Sequence, residues 1–351
     1  MGPPDYYKPV DAVGPRVPWT GYVFWLVTTL AVLAGILFFL YPQFVAQRPA
    51  KGAQSTQIGI ATWPGFAPSF LAKERGYFGD VNVGINVLDD FSARQAAFIS
   101  GKTDFTIYTI DSLAFDAGKG VRGKIVLILD RSNGADGIVA TTSIGSIADL
   151  KGKKVAYTRG SPAHFLLVSA LARAGLTIND IQTVEVDDPT RAAEAFLAGS
   201  VDASVTWEPY LTQIKTSGKG RVLADTRSLD DRIIDVLVAS ESAIKDKPEL
   251  VKKVVDGWMR ALVEVHQPRA DTFAIMANGL GMREQEFRSN AQGVMFADWA
   301  MNLAWLGPQG AAPSRASVLF SDAARLWRAT KLSAAPSSPV PYFSSQFLPK
   351  R

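Results

Sequence analysis

The chain contains no cysteine among its 351 residues. This absence excludes disulfides, thiolate metal sites, cysteine nucleophiles and the lipid-bearing cysteine of a bacterial lipoprotein. Histidine is scarce as well, because His164 and His266 are the only two, so metal binding and general-base catalysis have few candidates. No nucleophile–base pair or metal cluster is visible in the sequence. We therefore predict that the protein is not an enzyme and carries no metal or other cofactor.

An excess of charge of one sign is also missing. Lys and Arg number 37 against 33 Asp and Glu, which gives a mild net charge of +4, and the basic residues do not cluster. Nothing in this pattern indicates a nucleic-acid partner. The hydrophobic content of 47% is enough, over this length, to bury a sizeable core and to build two lobes.

One stretch lacks charge altogether. No charged residue occurs over 17–47, and the apolar segment over 21–41 is long enough to cross about 30 Å of hydrocarbon. A signal peptide is the alternative, but its apolar core would span about 7–15 residues and end in a small-x-small cleavage site. We therefore predict an uncleaved transmembrane helix over 21–41, after a short segment over 1–20 and before a polar linker over 42–55.

After the linker, predicted strands and helices alternate. "QIGIAT", "TDFTIYTI" and "KKVAYT" have the pattern of strands, whereas "PSFLAKERGYF" and "PAHFLLVSALARAG" have helical spacing. Regular alternation predicts an α/β protein with parallel sheets and helices on both faces. In open sheets of this kind, ligands bind beyond the carboxyl ends of the strands, where helix N-termini also converge. The strand-to-helix junctions are therefore the places to expect a binding site.

The stretch "TWEPY" places a carboxylate between two aromatic rings after a predicted strand. An aromatic ring next to a carboxylate can hold a cationic amine through a cation–π contact and a charge partner. Trp207 and Glu208 are thus candidate ligand-binding residues. The structural alternative is that Glu208 lies at a helix start, where the helix dipole stabilises a carboxylate by ~0.3–1 kcal/mol.

Asp235 interrupts the apolar run "IIDVLVAS" and is a further candidate. An ionised carboxylate buried there without a partner would cost several kcal/mol, so something must satisfy it. Within the protein, the candidate partner is Arg131, Arg159 or Arg232. A ligand ammonium or amidine is the functional alternative.

The remaining candidate ligand-binding residues share a position at a turn or helix start that follows a predicted strand. They are Trp63, Phe66, Asp111, Asp136, Gly160 and Ser161. The aromatic density of "WPGF" exceeds what packing requires, and "GSP" opens a helix whose first N–H groups would face a ligand. The structural alternatives are core packing for the two rings, a helix cap for Asp111 and a turn for Asp136. His164, one helical turn further on, is predicted to be a packing histidine.

The charges at these junctions bear on the kind of ligand. Four acids stand against two nearby bases, the acids being Asp111, Asp136, Glu208 and Asp235 and the bases Arg131 and Arg159. A site for an anion would keep its helix N-termini free of carboxylates, which compete for the same positive potential. The sequence therefore favours a cationic or amino-bearing organic ligand, such as an amine or aminopyrimidine, over nitrate or an alkylsulfonate.

The order of several motifs adds a resemblance. "WPGFAP", "GYF", "ISGKTDF", "DRSNGADGIVA", "IADLKGKKVAYTRGSPAHFLL" and "AFLAGSVDASVTWEPY" follow one another as in solute-binding proteins of ABC importers. Over about 57–307 the chain resembles the NMT1/THI5-like, SsuA-like group, which includes nitrate, sulfonate, taurine and pyrimidine-precursor binders. The resemblance implies a type II periplasmic-binding-protein fold, in which two α/β lobes joined by two crossover strands close on a small molecule. One lobe would combine 56–138 with 235–331, the other would span 139–234, and 332–351 would be a C-terminal tail.

The resemblance also implies a function. It predicts a membrane-anchored solute-binding component of an ABC importer, which passes a small-molecule ligand to an ABC permease and its ATPase. The large domain would lie in the periplasm, with single-pass anchoring in the bacterial inner membrane through the N-terminal helix. Two alternatives stay open: a binder of an anion such as nitrate or an alkylsulfonate, and a ligand-sensing ectodomain of a signalling complex. The fungal pyrimidine-synthase branch uses a cysteine-rich iron motif, which this chain lacks.

Overall fold

The residues that the structure describes belong to the α/β part of the chain. The computed structural model describes residues 54–228, 232–307, 314–339 and 342–348. The predicted transmembrane helix over 21–41 lies outside these residues. Within the described ranges, no helix is both long enough and apolar enough to span a bilayer.

Strands and helices alternate along the described chain. In chain order the strands are β1 (Ser55–Ile60), β2 (Asn82–Val87), β3 (Phe105–Thr109), β4 (Gly123–Ser132), β5 (Asp136–Thr141), β6 (Lys154–Thr158), β7 (Gln182–Val186), β8 (Ala203–Trp207), β9 (Gly220–Asp225), β10 (Ile234–Ser240) and β11 (Val294–Phe296). The helices are α1 (Pro68–Glu74), α2 (Phe91–Ile99), α3 (Ile110–Ala117), α4 (Pro162–Arg173), α5 (Pro189–Leu197), α6 (Tyr210–Ser217), α7 (Glu241–Asp246), α8 (Pro248–His266), α9 (Thr272–Gly279), α10 (Glu284–Ala291), α11 (Trp299–Leu306) and α12 (Arg315–Ala329). The predicted α/β class is confirmed.

The described strands form two sheets. The first has six strands in the order β11-β4-β10-β3-β1-β2, and the second has five in the order β7-β6-β8-β5-β9. β1 pairs in parallel with β2 and β3, and β6 pairs in parallel with β7 and β8. The other pairings are antiparallel: β10 with β3 and β4, β11 with β4, and β5 with β8 and β9. The prediction of parallel sheets is therefore confirmed only in part.

The antiparallel strands β5 and β10 arise because the chain passes between the sheets twice. It leaves the first sheet at Ser132 and enters the second at Asp136, then leaves the second at Asp225 and re-enters the first at Ile234. β5 and β10 thus run against their parallel neighbours, and their first residues lie beside the carboxyl ends of β8 and β3. The predicted lobe boundaries, after residues 138 and 234, fall inside these two strands, and the division into lobes stays a prediction.

Apolar side chains cover both faces of the central strands. Every residue of β3, β8 and β10 is buried, which is the pattern of strands covered by other elements on both sides. In the long helix α8, Trp258 is fully buried, as the helical spacing of its apolar residues predicts. The described part of the C-terminal tail packs on the first sheet, where Phe343 bridges to Ile125 and Tyr342 stacks on Phe320 with ring centroids 5.1 Å apart. The strand ends that carry the site therefore extend from a buried core.

Candidate functional site

A small cavity lies between the two sheets, at the edge where these strand ends meet. Its volume is about 30 Å³, counted as the space open to the centres of water-sized spheres. That is room for one or two water molecules and too little for an organic ligand. Side chains from both sheets line it, among them Trp63, Phe66, Arg94, Asp136, Trp207 and Asp235. Entry of an organic ligand therefore requires that the two sheets move apart.

Hydrogen bonds close the cavity across the two sheets. Trp207 Nε1, at the end of β8, donates to the carbonyl oxygen of Thr62, just after β1, at 3.3 Å. The Tyr210 hydroxyl, on the second-sheet side, donates to Asp89 Oδ2 at 3.3 Å. Asp89 Oδ1 also accepts from the Thr62 N–H at 2.6 Å. The first two of these bonds link the two sides of the cavity and would have to break when the sheets separate.

Trp63 and Phe66 lie in the turn that follows β1. Both rings are buried, with centroids 6.4 Å apart, and both line the cavity. Trp63 Nε1 donates to the two carboxylate oxygens of Asp130 at 3.2 and 3.3 Å. Between the rings, a Cβ atom at Gly65 would lie 2.0 Å from Asp130 Oδ2 and 2.4 Å from Trp63 Nε1. The turn therefore needs glycine here because its backbone presses directly on a buried carboxyl group.

Gly65→Ala should lower the free energy of unfolding by about 1–3 kcal/mol, because the added methyl group overpacks a buried turn. Urea denaturation measures this loss. In the double variant Gly65→Ala with Asp130→Ala, the main clash is gone, so the combined loss should be smaller than the sum of the two single losses. Strictly additive losses would contradict the proposed clash.

Three carboxyl groups lie at this edge of the sheets: Asp130 near the end of β4, Asp136 at the start of β5 and Asp235 near the start of β10. Asp130 and Asp235 are directly opposite in the β4–β10 pair and share a hydrogen bond. Burial raises the pKa of Asp130 to about 7 and the pKa of Asp136 to about 7. Burial, and next the charge of Asp130, raise the pKa of Asp235 well above its ordinary value. Asp235 therefore holds the shared proton and donates to Asp130.

The cation of the cavity is Arg94 on α2, which the sequence analysis did not identify. Its Nη1 donates to the Leu88 carbonyl oxygen at 2.5 Å, and the guanidinium lies 5.2 Å from the Phe91 ring centroid. Its Nε has no hydrogen-bond partner among the described residues. Burial lowers the pKa of Arg94 to about 10, which leaves it charged at neutral pH. The buried residues Phe91, Arg94, Gln95 and Phe98 follow i, i+3, i+4, i+7 spacing, and that signal would have placed Arg94 on the inner face.

Two of the three arginines predicted as partners of Asp235 take other roles. Arg159 pairs with Glu185 at the surface, with Nη1 3.1 Å from Oε1. Arg131 follows Asp130 on β4 and therefore points to the opposite face, where it contacts Met295. Asp235 instead bonds to Asp130 and shares the cavity with Arg94.

Glu208 does not line the cavity, although it is buried beside it. Its Oε2 accepts from the Thr212 N–H at 2.9 Å, and its Oε1 accepts from Lys215 Nζ at 3.0 Å. The first N–H groups of a helix lack partners within the helix, and this carboxylate supplies one for α6. The structure therefore gives Glu208 the helix-start role that was the alternative to ligand binding.

Gly160, Ser161 and Asp111 also lie beside the cavity lining and are not part of it. The Gly160 N–H donates to His164 Nδ1 at 3.1 Å, and the Ser161 hydroxyl donates to the Thr158 carbonyl oxygen at 2.7 Å. Burial lowers the pKa of His164 to about 3, so it is a neutral packing histidine, as predicted. Asp111 is fully buried in the first turn of α3, and burial raises its pKa to about 7.

The cap of α3 is not Asp111. The helix begins after Thr109, whose N–H donates to Ser112 Oγ at 3.0 Å, so the structure does not support a helix cap, which was the structural alternative for Asp111. The described residues also contain no group of three or more His, Asp or Glu side chains arranged to hold a metal ion.

Comparison with known proteins gives a family match. A family model described as NMT1/THI5 like matches residues 63–270. An Escherichia coli protein whose name refers to aliphatic-sulfonate binding is 34% identical over 145 residues, which are 41% of this chain and 45% of that protein. The taurine-binding periplasmic protein of Escherichia coli is 25% identical over 244 residues, which are 69% of this chain and 71% of that protein. The chain spans 45% to 62% of the length of the first curated relatives it matches.

Solved structures have the same fold. The periplasmic aliphatic sulphonate binding protein SsuA of Escherichia coli superposes with a TM-score of 0.67 at 20% identity, over 84% of this chain and 99% of that one. The desulfurization enzyme DszB superposes with a TM-score of 0.61 at 17% identity, over 84% and 97% of the two chains. At these identities the likeness establishes the two-sheet periplasmic-binding-protein fold. Because a binding protein and an enzyme both share it, the fold does not identify the ligand.

Proposed function

Since this chain belongs to the NMT1/THI5-like family, we propose that it is the solute-binding component of an ABC importer. It binds a small organic anion of the sulfonate class between its two sheets and passes it to an ABC permease and its ATPase. The names of the relatives, which refer to aliphatic sulfonates and to taurine, support this ligand class. They favour a ligand with a sulfonate group over the purely cationic ligand that the sequence predicts, although taurine carries an amino group as well.

The observation that carries the proposal is the buried guanidinium of Arg94. It lines the cavity, is 3% exposed, and has an Nε donor without a hydrogen-bond partner among the described residues. An unmet donor on a buried cation costs free energy, and an anionic oxygen in the cavity would recover it. The planar fork of guanidinium donors suits oxyanions with several oxygens, such as a sulfonate.

The acids of the cavity are compatible with an anion because burial protonates them. Burial raises the pKa of Asp136 to about 7 and the pKa of Asp235 well above its ordinary value, so both are held largely as neutral acids below neutral pH. A protonated carboxyl group donates a hydrogen bond to an anionic oxygen, whereas an ionised one repels it. The sequence-based prediction of a cationic ligand treats Asp136 and Asp235 as ionised, and for that reason it has the opposite sign.

The aromatic rings of the cavity suit the organic part of such a ligand. Trp63, Phe66 and Trp207 line it together and offer apolar ring surface next to the charged group of Arg94. A ligand with an anionic head and a short carbon chain matches this division between a polar and an apolar wall.

The proposal places the binding domain in the bacterial periplasm. Single-pass anchoring in the inner membrane through 21–41 stays a prediction for residues outside the described ranges. Such an anchor would raise the effective concentration of the receptor near its permease.

Thermal-shift measurements on the purified full-length protein test the proposal with ethanesulfonate, taurine, nitrate and ethylamine. A ligand that binds the folded state alone stabilises it by mass action, by ~2.7 kcal/mol at a hundredfold excess over Kd. We expect ethanesulfonate or taurine to raise the melting temperature and ethylamine to leave it unchanged. Stabilisation by ethylamine alone would contradict the proposal.

A further inference from the structure

Two buried carboxyl groups face each other at the base of the cavity. Asp130 and Asp235 are opposite in antiparallel register, an arrangement that sets side chains of the same face about 5 Å apart. Asp130 is fully buried and Asp235 is 5% exposed. The Trp63 indole and the backbone of Gly65 cover Asp130, so Asp235 is the member of the pair that lines the cavity.

The groups around the pair leave an excess of acid. The titratable and charged groups that face this region are Arg94 of α2, Tyr108 of β3, Asp111 of α3, Asp136 of β5 and Glu208 before α6. The negative charge of Glu208 raises the pKa of Asp136. On the other side of β4, strand β11 sets the apolar Phe296 beside Asp130. Lys215 pairs with Glu208, and Arg94 by itself cannot balance the remaining acids. Two carboxyl groups that share a site without water cannot both be ionised.

We propose that the Asp130–Asp235 pair is a proton-binding site coupled to ligand binding, so that capture of a sulfonate takes up at least one proton. The inference rests on the proposed function. When the sheets are apart, water reaches the pair, and carboxyl groups with ordinary pKa values of about 4 are ionised at neutral pH. Closure around an anion removes that water and adds negative charge, and both changes favour the protonated form.

The sign of the pH dependence follows from the raised pKa values of the closed state. The closed, sulfonate-bound form holds more protons than the open form, so affinity is highest below the open-form pKa of about 4 and falls as the pH rises from there toward the raised pKa values of the closed form. A ligand ammonium would act in the opposite direction, because it would supply the positive charge that the pair lacks. The number and sign of exchanged protons therefore also separate the two ligand classes.

Calorimetric titration of the full-length protein with ethanesulfonate, in two buffers of different ionisation enthalpy, counts the protons. We expect uptake of about one proton or more at neutral pH and an affinity that falls about tenfold per pH unit for each proton taken up, between the open-form and the closed-form pKa values. Asp130→Asn and Asp235→Asn should each lower the uptake by about one proton and flatten the pH profile. Asp80→Asn is the control, because Asp80 is an exposed acid paired with Lys253, and its uptake should equal that of the wild type.

No proton exchange, proton release, or uptake that both variants retain would overturn the inference and leave the proposed function standing. If ethanesulfonate does not bind at any pH, the proposed function is wrong, and the coupling of proton uptake to ligand binding is wrong with it. Infrared spectra of the full-length protein then test the pair by itself. A protonated carboxyl band at neutral pH that is weaker in both variants supports the proton site, and its absence from the wild type, or its full retention in both variants, overturns it.

Discussion

Replacing Arg94 with glutamine is expected to weaken ethanesulfonate binding by about 30-fold or more. Truncating one partner of a buried, hydrogen-bonded charge pair costs at least about 2 kcal/mol, and each 1.4 kcal/mol is a tenfold change in affinity. The effect is large because Arg94 is the cation that lines the cavity and still has an unmet Nε donor among the described residues. Isothermal titration of wild type and variant measures it.

Two further variants sharpen this experiment. Arg94→Lys keeps the charge but loses the planar fork, so its affinity should lie between those of the wild type and Arg94→Gln. Arg159→Gln removes an arginine of the surface, where it pairs with Glu185, and should bind like the wild type. Equal affinities for the wild type and Arg94→Gln would show that the guanidinium does not contact the ligand.

Glu264→Gln should lower the free energy of unfolding by about 3 kcal/mol at neutral pH, without any contact to the cavity. The Glu264 side chain is 5% exposed. Its oxygens accept from Arg75 Nη2 at 2.9 Å, from the Tyr77 hydroxyl at 2.5 Å and from Thr272 Oγ1 at 2.7 Å. The neutral amide removes the charge to which these donors, on two different segments of the chain, all bond.

The pH dependence of this loss has a definite sign. Burial pushes the pKa of Glu264 upward, but hydrogen bonds from Arg75, Tyr77 and Thr272 outweigh burial and lower the pKa from 4.5 to about 2. The stabilisation is therefore fully present above about pH 4.5 and is lost as the pH falls toward about 2. Urea denaturation of wild type and variant across this range should give curves that converge at low pH.

Glu286→Gln is the control for Glu264→Gln. Glu286 lies 3.7 Å from Arg283 Nε in an exposed i, i+3 pair on α10. Exposed pairs contribute at most about 1 kcal/mol, so this change should be small at every pH. A Glu264→Gln difference that stays constant down to low pH would mean that the charge of Glu264 is not what stabilises the network.

Much of the fold was predictable because the spacing of hydrophobic residues indicates which face of each helix or strand is buried. The alternation of strands and helices, the burial of Trp258 in α8 and the packing role of His164 all follow from local patterns. The antiparallel direction of β5 and β10 did not follow. It depends on the chain crossing between two sheets, and no local pattern carries the direction in which a strand re-enters a sheet.

The candidate site was predictable to the level of strand ends. Five of the predicted residues line the cavity, namely Trp63, Phe66, Asp136, Trp207 and Asp235. Glu208 comes directly after Trp207 and does not line it, because its side chain reaches the first turn of α6 instead. The sequence thus identified the strand-to-helix junctions. Which side chain at a junction faces the cavity depends on its conformation and on the hydrogen-bond donors nearest to it.

The sequence by itself determined that this protein is an α/β chain without cysteine chemistry, with aromatic and acidic residues concentrated at strand ends. Only the tertiary structure decided that Asp130 lies opposite Asp235 and that Arg94 lines the same cavity. The physical reason is that β4 and β10 are neighbours in the first sheet but are separated in the sequence by all five strands of the second sheet. Their register, and with it the protonation of the acids, depends on contacts between residues far apart in the sequence.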